Sequence, residues 1–330
     1  MVSRRRLLLA LPLGLPTAGV VLDAFAQPRP KRIGVLSGGA KPISVENSAH
    51  GTFLQGLREL HYVEGRDFVV EWRYAEGNYE RLAEFAAEFV RMPVDVIVAF
   101  NTRGALEAMQ ATQTIPIVFA SVSDPLGSGL VTNLAHPGGN VTGASEGLDT
   151  TILKHLDLMR SMVPGLSSAG VLFNPSNPMF ERLLERLQSV GRGLGVEVVP
   201  VTARAPAEFE TSFAALKSRR VQAALVFDDS MFFVQRRQLS DVANRAQLPT
   251  IAGNREYAEA GLLFSYGELL SDQFRRGAAY VDKIFRGARP GDLPVEQPTR
   301  FFFVINRKTA KALELTIPNS ILLRADEFVE

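Results

Sequence analysis

The chain contains no cysteine. That one absence excludes disulfides, thiolate nucleophiles, iron–sulfur clusters and cysteine-based zinc sites. Histidine is scarce: His50, His61, His136 and His155 are scattered and never fall four apart on one helix face. A histidine metal site is therefore not expected. The Ser37-Gly38-Gly39-Ala40 segment after the first strand lacks the G-x-G-x-x-G spacing, Gly127-Ser128-Gly129 lacks a third glycine, and no P-loop lysine pattern occurs. These absences argue against dinucleotide and P-loop nucleotide sites, and no cofactor is expected. Past the N-terminus, no stretch reaches the ~20 apolar residues that a bilayer span requires.

What is present starts with an exported-protein leader. Arg4-Arg5-Arg6 precedes an apolar run from Leu7 to Leu22, broken by Pro12, Gly14 and Pro16, and Ala24-Phe25-Ala26 offers a small-x-small cleavage site. A basic region, a short apolar region and small residues make residues 1–26 read as a cleavable signal peptide, not an anchor helix. Ser3 to Leu8 is also similar to a twin-arginine export signal. Cleavage after Ala26 removes three arginines and Asp23 from totals of 36 basic and 35 acidic residues. The remaining 33 and 34 give a net charge of −1, which does not suit a nucleic-acid binder. The remaining length suits two domains, each with its own core.

Strand and helix patterns alternate along the chain. Strand-like runs occur at Arg32–Leu36, Phe68–Tyr74, Val94–Phe100 and Pro116–Ala120, and again at Ala169–Phe173, Val196–Val201, Ala223–Phe227, Pro249–Ala252 and Leu262–Gly267. Between them apolar residues recur at helical spacing, as at Phe53, Leu54, Leu57 and Leu60. Asn78 is expected to cap one such helix, and Thr150 or Thr151 another. This alternation predicts an α/β fold of two parallel, doubly wound sheets. Val118 to Pro125, followed by His136 to Gly143, marks the end of the first half.

Ligands of open α/β sheets sit beyond the carboxyl ends of the strands. The residues expected there are Ser37, Asn101, Thr102, Ser121, Ser123 and Asp124 in the first half. The second half supplies Asn174, Asn177, Asp228, Asp229, Ser230 and Asn254. Each is also a favoured cap or turn residue; their recurrence in both halves points to a shared polar cleft. Gly143-Ala144-Ser145-Glu146-Gly147 matches the G-x-S-x-G nucleophile elbow, but the later histidine, His155, lies only ten residues on in the following helix. That spacing does not build a hydrolase triad, so no catalytic residue is expected. Glu84 and Glu88 read as a solvated helix face.

Val118-Phe119-Ala120-Ser121-Val122-Ser123-Asp124-Pro125, with Pro137-Gly138-Gly139-Asn140-Val141-Thr142-Gly143, resembles the signature of the tryptophan/phenylalanine-type ABC-transporter substrate-binding proteins. Leu57–Gly65, Leu172–Pro175, Pro294–Thr299, Val304–Asn306, Thr309–Leu313 and Leu322–Asp326 are similar too. The resemblance implies a type I periplasmic-binding fold, two lobes joined by a three-strand hinge that close on a ligand. It places residues 31–146 plus 268–287 in an N-terminal lobe and 147–267 plus 291–330 in a C-terminal lobe, with hinge crossings near Gly143, Gly267 and Pro290.

By the same resemblance the protein is a periplasmic, monomeric, non-enzymatic receptor for an amino-acid-like small molecule, which it passes to the membrane subunits of an ABC permease. A periplasmic ligand sensor is the alternative with the same fold; an exported enzyme is a third. Nucleic acid is not an implied partner. Ser37, Thr102 and Ser123 would donate to the ligand carboxylate, Asp229 or, second, Asp228 would hold its ammonium, and Tyr266 or Phe232 would stack on an aromatic side chain. The chain has Asp228-Asp229-Ser230 where aromatic-amino-acid relatives carry Thr-Asp-Asn, a departure that adds an acid to the cleft.

Overall fold

The computed structural model describes residues 29–46, 48–177 and 179–330, apart from the side chain of Asp149. The expected leader, residues 1–26, lies outside this range. No helix among the described residues is long and apolar enough to cross a membrane.

The first half runs β1 (Lys31–Ser37), α1 (Ala49–Glu59), β2 (Phe68–Tyr74), α2 (Glu80–Arg91), β3 (Val96–Ala99), α3 (Thr102–Ala111), β4 (Ile117–Val122) and β5 (Val141–Ser145). The second half opens with α4 (Leu148–Met162), β6 (Ser168–Phe173), α5 (Met179–Gly193), β7 (Glu197–Thr202), α6 (Phe209–Ser218) and β8 (Ala223–Val226). It continues through α7 (Ser230–Val234), α8 (Arg236–Arg245), β9 (Thr250–Ala252), α9 (Arg255–Ala260) and β10 (Phe264–Gly267). The chain ends with α10 (Leu270–Phe285), β11 (Phe302–Asn306), α11 (Arg307–Ala312), α12 (Asn319–Leu322) and β12 (Glu327–Val329).

Two sheets form. The first has the order β2-β1-β3-β4-β5 and is wholly parallel. Its inner strands are buried on both faces while the edge strand β2 is largely half-buried, and the period of two sorts their side chains. Val96, Val98, Val118 and Ala120 meet α1 and α10, whereas Ile97, Ala99, Ile117 and Phe119 meet α2 and α3. The second sheet, β12-β11-β10-β9-β8-β6-β7, is parallel except for the antiparallel pair β10–β11. Helices α4 and α5 with the C-terminal segment cover one face, and α6 to α9 cover the other.

Helix α10 follows a strand of the second sheet yet packs on α1, β4 and β5. The approach to α1 is close: a Cβ on Gly56 would lie 2.8 Å from the Ala278 methyl carbon. The chain thus passes between the sheets three times. The first passage comes after Ser145, later than Gly143, because the Glu146 N–H still donates to Val122 O at 3.0 Å. Gly143 serves a different end. Its φ is +152°, and a Cβ there would lie 2.0 Å from Phe119 O, so glycine is what lets β5 hug β4. The second passage is at Gly267–Leu269. The third also falls later than Pro290: Glu296 still bonds Gly143 O at 3.0 Å and Ser145 N at 2.9 Å, beside β5.

Caps differ in part from expectation. Asn78 Oδ1 does accept from Glu80 N at 3.1 Å at the start of α2. Neither Thr150 nor Thr151 caps α4; Gly147, at φ +68°, is the cap, and the Thr150 hydroxyl donates to its carbonyl at 2.8 Å. Glu88 on α2 makes an ion pair with Arg73, 2.5 Å apart, so this acid grips β2 while Glu84 stays exposed.

Candidate functional site

The carboxyl ends of both sheets face one cleft, which encloses about 470 Å³, a volume ordinary for a small-molecule site. Ten of the residues expected at strand ends line it: Ser37, Asn101, Thr102, Ser121, Ser123, Asn177, Asp228, Asp229, Ser230 and Asn254. Four expected residues are not in that lining. Asp124 closes its own turn by accepting from Gly127 N at 2.8 Å. Asn174 is buried behind the cleft and donates to Asp229 Oδ1 at 3.3 Å. Tyr266 stacks on Phe301, ring centres 5.6 Å apart, and its carbonyl meets His155 Nε2 at 2.7 Å. Phe232 has no exposed surface and packs on Phe209.

The rings that do face the cleft came from elements whose sequence does not advertise it. Phe100, at the end of β3, stacks on Phe274 of α10 with centroids 4.0 Å apart. His50 of α1 sits edge-on to Phe100, Trp72 and Tyr74 at about 5.5 Å. Burial among these rings depresses its pKa to about 4, so the imidazole is neutral. Phe233 and Tyr79 complete the aromatic lining. Phe100 and Glu146 were within reach of the strand-end rule, since each adjoins a strand terminus. His50, Tyr79, Phe233 and Phe274 were not.

The polar groups of the first sheet are largely occupied by one another. Ser123 Oγ donates to Glu146 Oε1 at 2.6 Å and Ser121 Oγ donates to Oε2 at 3.0 Å. Ser123 is thereby committed to a carboxylate of the protein, which displaces it as a donor to a ligand carboxylate. Ser121 adopts φ +112° at a break in the β4–β5 register. Such a conformation is costly for a residue with a Cβ, and here it turns the hydroxyl to Glu146. Thr102 Oγ1 accepts from Ser123 N at 3.3 Å, leaving its own proton free to donate. Ser37 Oγ lies 3.0 Å from His50 Nε2 and accepts from Gly39 N at 3.2 Å. Asn101 caps α3, whose first-turn N–H groups open toward the cleft.

The two adjacent acids of the second sheet behave differently. Asp229 caps α7: Oδ1 takes Met231 N at 2.9 Å and Phe232 N at 3.4 Å besides Asn174, and Oδ2 takes Tyr79 OH at 2.7 Å. Its acceptor capacity is spent on the protein, so it is a poor ammonium partner. Asp228 Oδ1 is buried with no hydrogen-bond partner. Its pKa is pushed well up, first by desolvation and next by the facing Glu146, while the N–H groups of Asn254 and Gly253 oppose the shift. Of the two acids, Asp228 is the one with an oxygen that has no protein partner.

Chemically the site offers hydroxyl and amide donors, the basic side chains of Lys41, Arg103 and Arg236, apolar rings and a carboxyl oxygen without a partner. No group of three or more His, Asp or Glu side chains suited to a metal occurs among the described residues. Ser145 has no exposed surface and its hydroxyl donates to Val122 O at 3.1 Å, while His155 bonds Tyr266 O. The elbow-like motif is therefore a strand end, with its serine and histidine tied to different carbonyls.

This arrangement, two α/β sheets around a polar cleft, coincides with a family-model match. Residues 44–329 match the model of the ABC transporter substrate binding protein family. The chain belongs to that family. Among ABC substrate-binding relatives, the tyrosine-binding protein of Clostridioides difficile (strain R20291) is 27% identical over 278 residues, 83% of this chain and 80% of that one. A conserved domain protein from Vibrio cholerae superposes with a TM-score of 0.83 at 29% identity, covering 91% of this chain and 99% of that one. A Streptococcus pneumonia ABC domain in complex with L-Trp gives 0.84 at 24% identity, covering 91% and 100%. The type I periplasmic-binding fold and the family of binding proteins are thus in place for this substrate-binding chain.

Proposed function

We propose that this substrate-binding protein captures an α-amino acid, preferentially one with an aromatic side chain, between its two lobes, and delivers it to an ABC permease after export to the periplasm. The observation that carries the reading is Asp228 Oδ1, buried in the cleft without a protein partner. A ligand ammonium placed there would draw into its charged form a carboxyl that burial otherwise holds toward neutrality and leaves without a partner. A cation beside both would also offset the Glu146 charge that helps raise the Asp228 pKa. Thr102 and the N-terminal amides of α3 suit the ligand carboxylate, and the Phe100–Phe274 stack suits a ring. The name of the Clostridioides difficile relative accords with this chemistry.

The lobes in this reading are residues 31–146 with 268–287, and 147–267 with the C-terminal segment. The hinge lies at the three passages after Ser145, Gly267 and Glu296. Ligand contacts both lobes only when they are closed, so it shifts the population to that state. The test is thermal unfolding against a panel of amino acids, amines and carboxylates. At a hundredfold excess over Kd a ligand adds about 2.7 kcal/mol of stability. L-tyrosine, L-phenylalanine or L-tryptophan is expected to raise the transition, and Asp228→Asn to remove the effect. A panel in which no amino acid shifts the transition refutes the amino-acid reading.

A further inference from the structure

Direct hydrogen bonds cross the cleft. Tyr79, just before α2 on the first sheet's side, donates its hydroxyl to Asp229 Oδ2 at 2.7 Å and accepts from Ser230 N at 2.9 Å. Both capacities of the phenol oxygen are used on the opposite lobe. Nearby, Asn101 Nδ2 donates to Ser230 Oγ at 3.2 Å. Three bonds therefore converge on the start of α7.

The first lobe is shaped to receive it. A Cβ on Gly38 would lie 2.6 Å from Ser230 Oγ, and one on Gly77 would lie 3.2 Å from the Met231 side chain. The loops carrying these glycines are laced together, with Gly77 N donating to Gly38 O at 2.8 Å and Glu76 N to Gly39 O at 3.0 Å. Gly77 holds φ +84°, a conformation that favours glycine. Two residues without side chains thus form a seat against which Ser230 and Met231 dock.

We infer that Tyr79, Asn101 and this glycine seat form an interlobe latch, closing on Asp229 and Ser230 and setting how much of the protein is closed before ligand arrives. Asp229 is then a latch acceptor and helix cap, not a ligand contact. The latch rests on the hinge-closure reading but on no particular ligand. Its strength follows from what opening and mutation expose. In the open state Asp229 Oδ2 and Ser230 N are hydrated. In a closed state lacking the Tyr79 hydroxyl they are buried without a partner, which penalises closure selectively. A less populated closed state weakens apparent affinity for every ligand by the same factor.

The absence of cysteine makes the test direct. Ala83→Cys on α2 and Arg237→Cys on α8, both at exposed positions, introduce two thiols for spin labels, and the label separation reports closure. In the ligand-free protein a short-distance population is expected, and Tyr79→Phe is expected to lower the closed-to-open ratio roughly tenfold. Ser230→Ala, which keeps the Ser230 N–H bond and removes only the Asn101 contact, is expected to lower it about threefold. Far-UV circular dichroism checks that each variant folds, and the milder serine variant carries the test if the tyrosine variant does not. Distances that respond to L-tyrosine but are the same in parent and variants overturn the latch and leave hinge closure standing. A single unchanging distance in every sample overturns both.

Discussion

The two walls of the cleft are built from the same kind of element, strand ends running into helices, and yet they offer opposite chemistry. The first-lobe wall presents hydroxyls and rings: Ser37, Thr102, Ser121 and Ser123 with His50, Phe100 and Phe274. The acid there, Glu146, is already supplied with two serine protons. The second-lobe wall presents adjacent acids, of which Asp229 is consumed by α7 and Tyr79 and Asp228 is left with an orphan oxygen. Residue type does not decide between a structural and a binding role. The count of local donors does.

The sharpest way to break this contrast is to exchange the fates of the neighbouring acids. Asp228→Asn is expected to weaken L-tyrosine binding on the order of a hundredfold by calorimetry, because it removes the partner of a buried ammonium. The same change should leave the thermal transition of the ligand-free protein unchanged or raised, since it discards a desolvated carboxylate. Asp229→Ala should do the reverse in stability, lowering it by about 1–2 kcal/mol in denaturant unfolding through loss of the cap. If Asp229→Ala abolishes binding with stability intact, the two roles have been assigned the wrong way round.

A second comparison is between two histidines, the half-buried His50 and the buried His155, one in each lobe. His50 and His155 both have pKa values lowered to about 4 by burial. The folded value lies below the ordinary 6.5, so the unfolded chain binds more protons between those limits. Stability is expected to be full above pH 6.5 and to fall as the pH drops toward 4. For His155, which has no exposed surface, the loss is on the order of 3 kcal/mol. His155→Gln, able to keep a donor to Tyr266 O, should flatten that part of the pH profile. An unchanged profile would remove His155 from the account.

The smallest effect sharpens the first-lobe wall alone. Ser121→Gly relieves a φ of +112° and deletes one hydroxyl bond to Glu146. Strain relief of about 1 kcal/mol should offset the lost bond of similar size, leaving the melting temperature nearly unchanged. Ligand affinity should fall a fewfold as Glu146 loses its orientation. A large rise in stability without an affinity change would make the conformation mere strain.

Much of the fold could be read ahead of the structure because burial writes periodicity into the chain. Val96 to Ala99 or Val118 to Ala120 must be apolar on both faces of a covered parallel strand, and helix faces such as Phe53, Leu54 and Leu57 repeat at their own spacing. The antiparallel β10–β11 pair was not visible in that way, since strand direction leaves no trace in apolar content. The polar set at strand ends was also legible, because loops at those ends must break the apolar run. Tyr266 misled for the same reason that it looked attractive: it ends a strand, but the strand turns its ring toward Phe301.

The amino-acid sequence by itself determined the two-lobed α/β plan, the absence of thiol chemistry and the family to which the chain belongs. The first two follow from local pattern and composition, which act over a turn of helix or a pair of strand residues; the family rests on the resemblance of whole motifs such as Val118–Pro125. Only tertiary structure decided which acid is open, which rings face the cleft and where the lobes touch. Those outcomes depend on contacts such as Tyr79 with Asp229, 150 positions apart. An acid's partners, and so its burial cost and its use, are set by what the folded chain brings beside it.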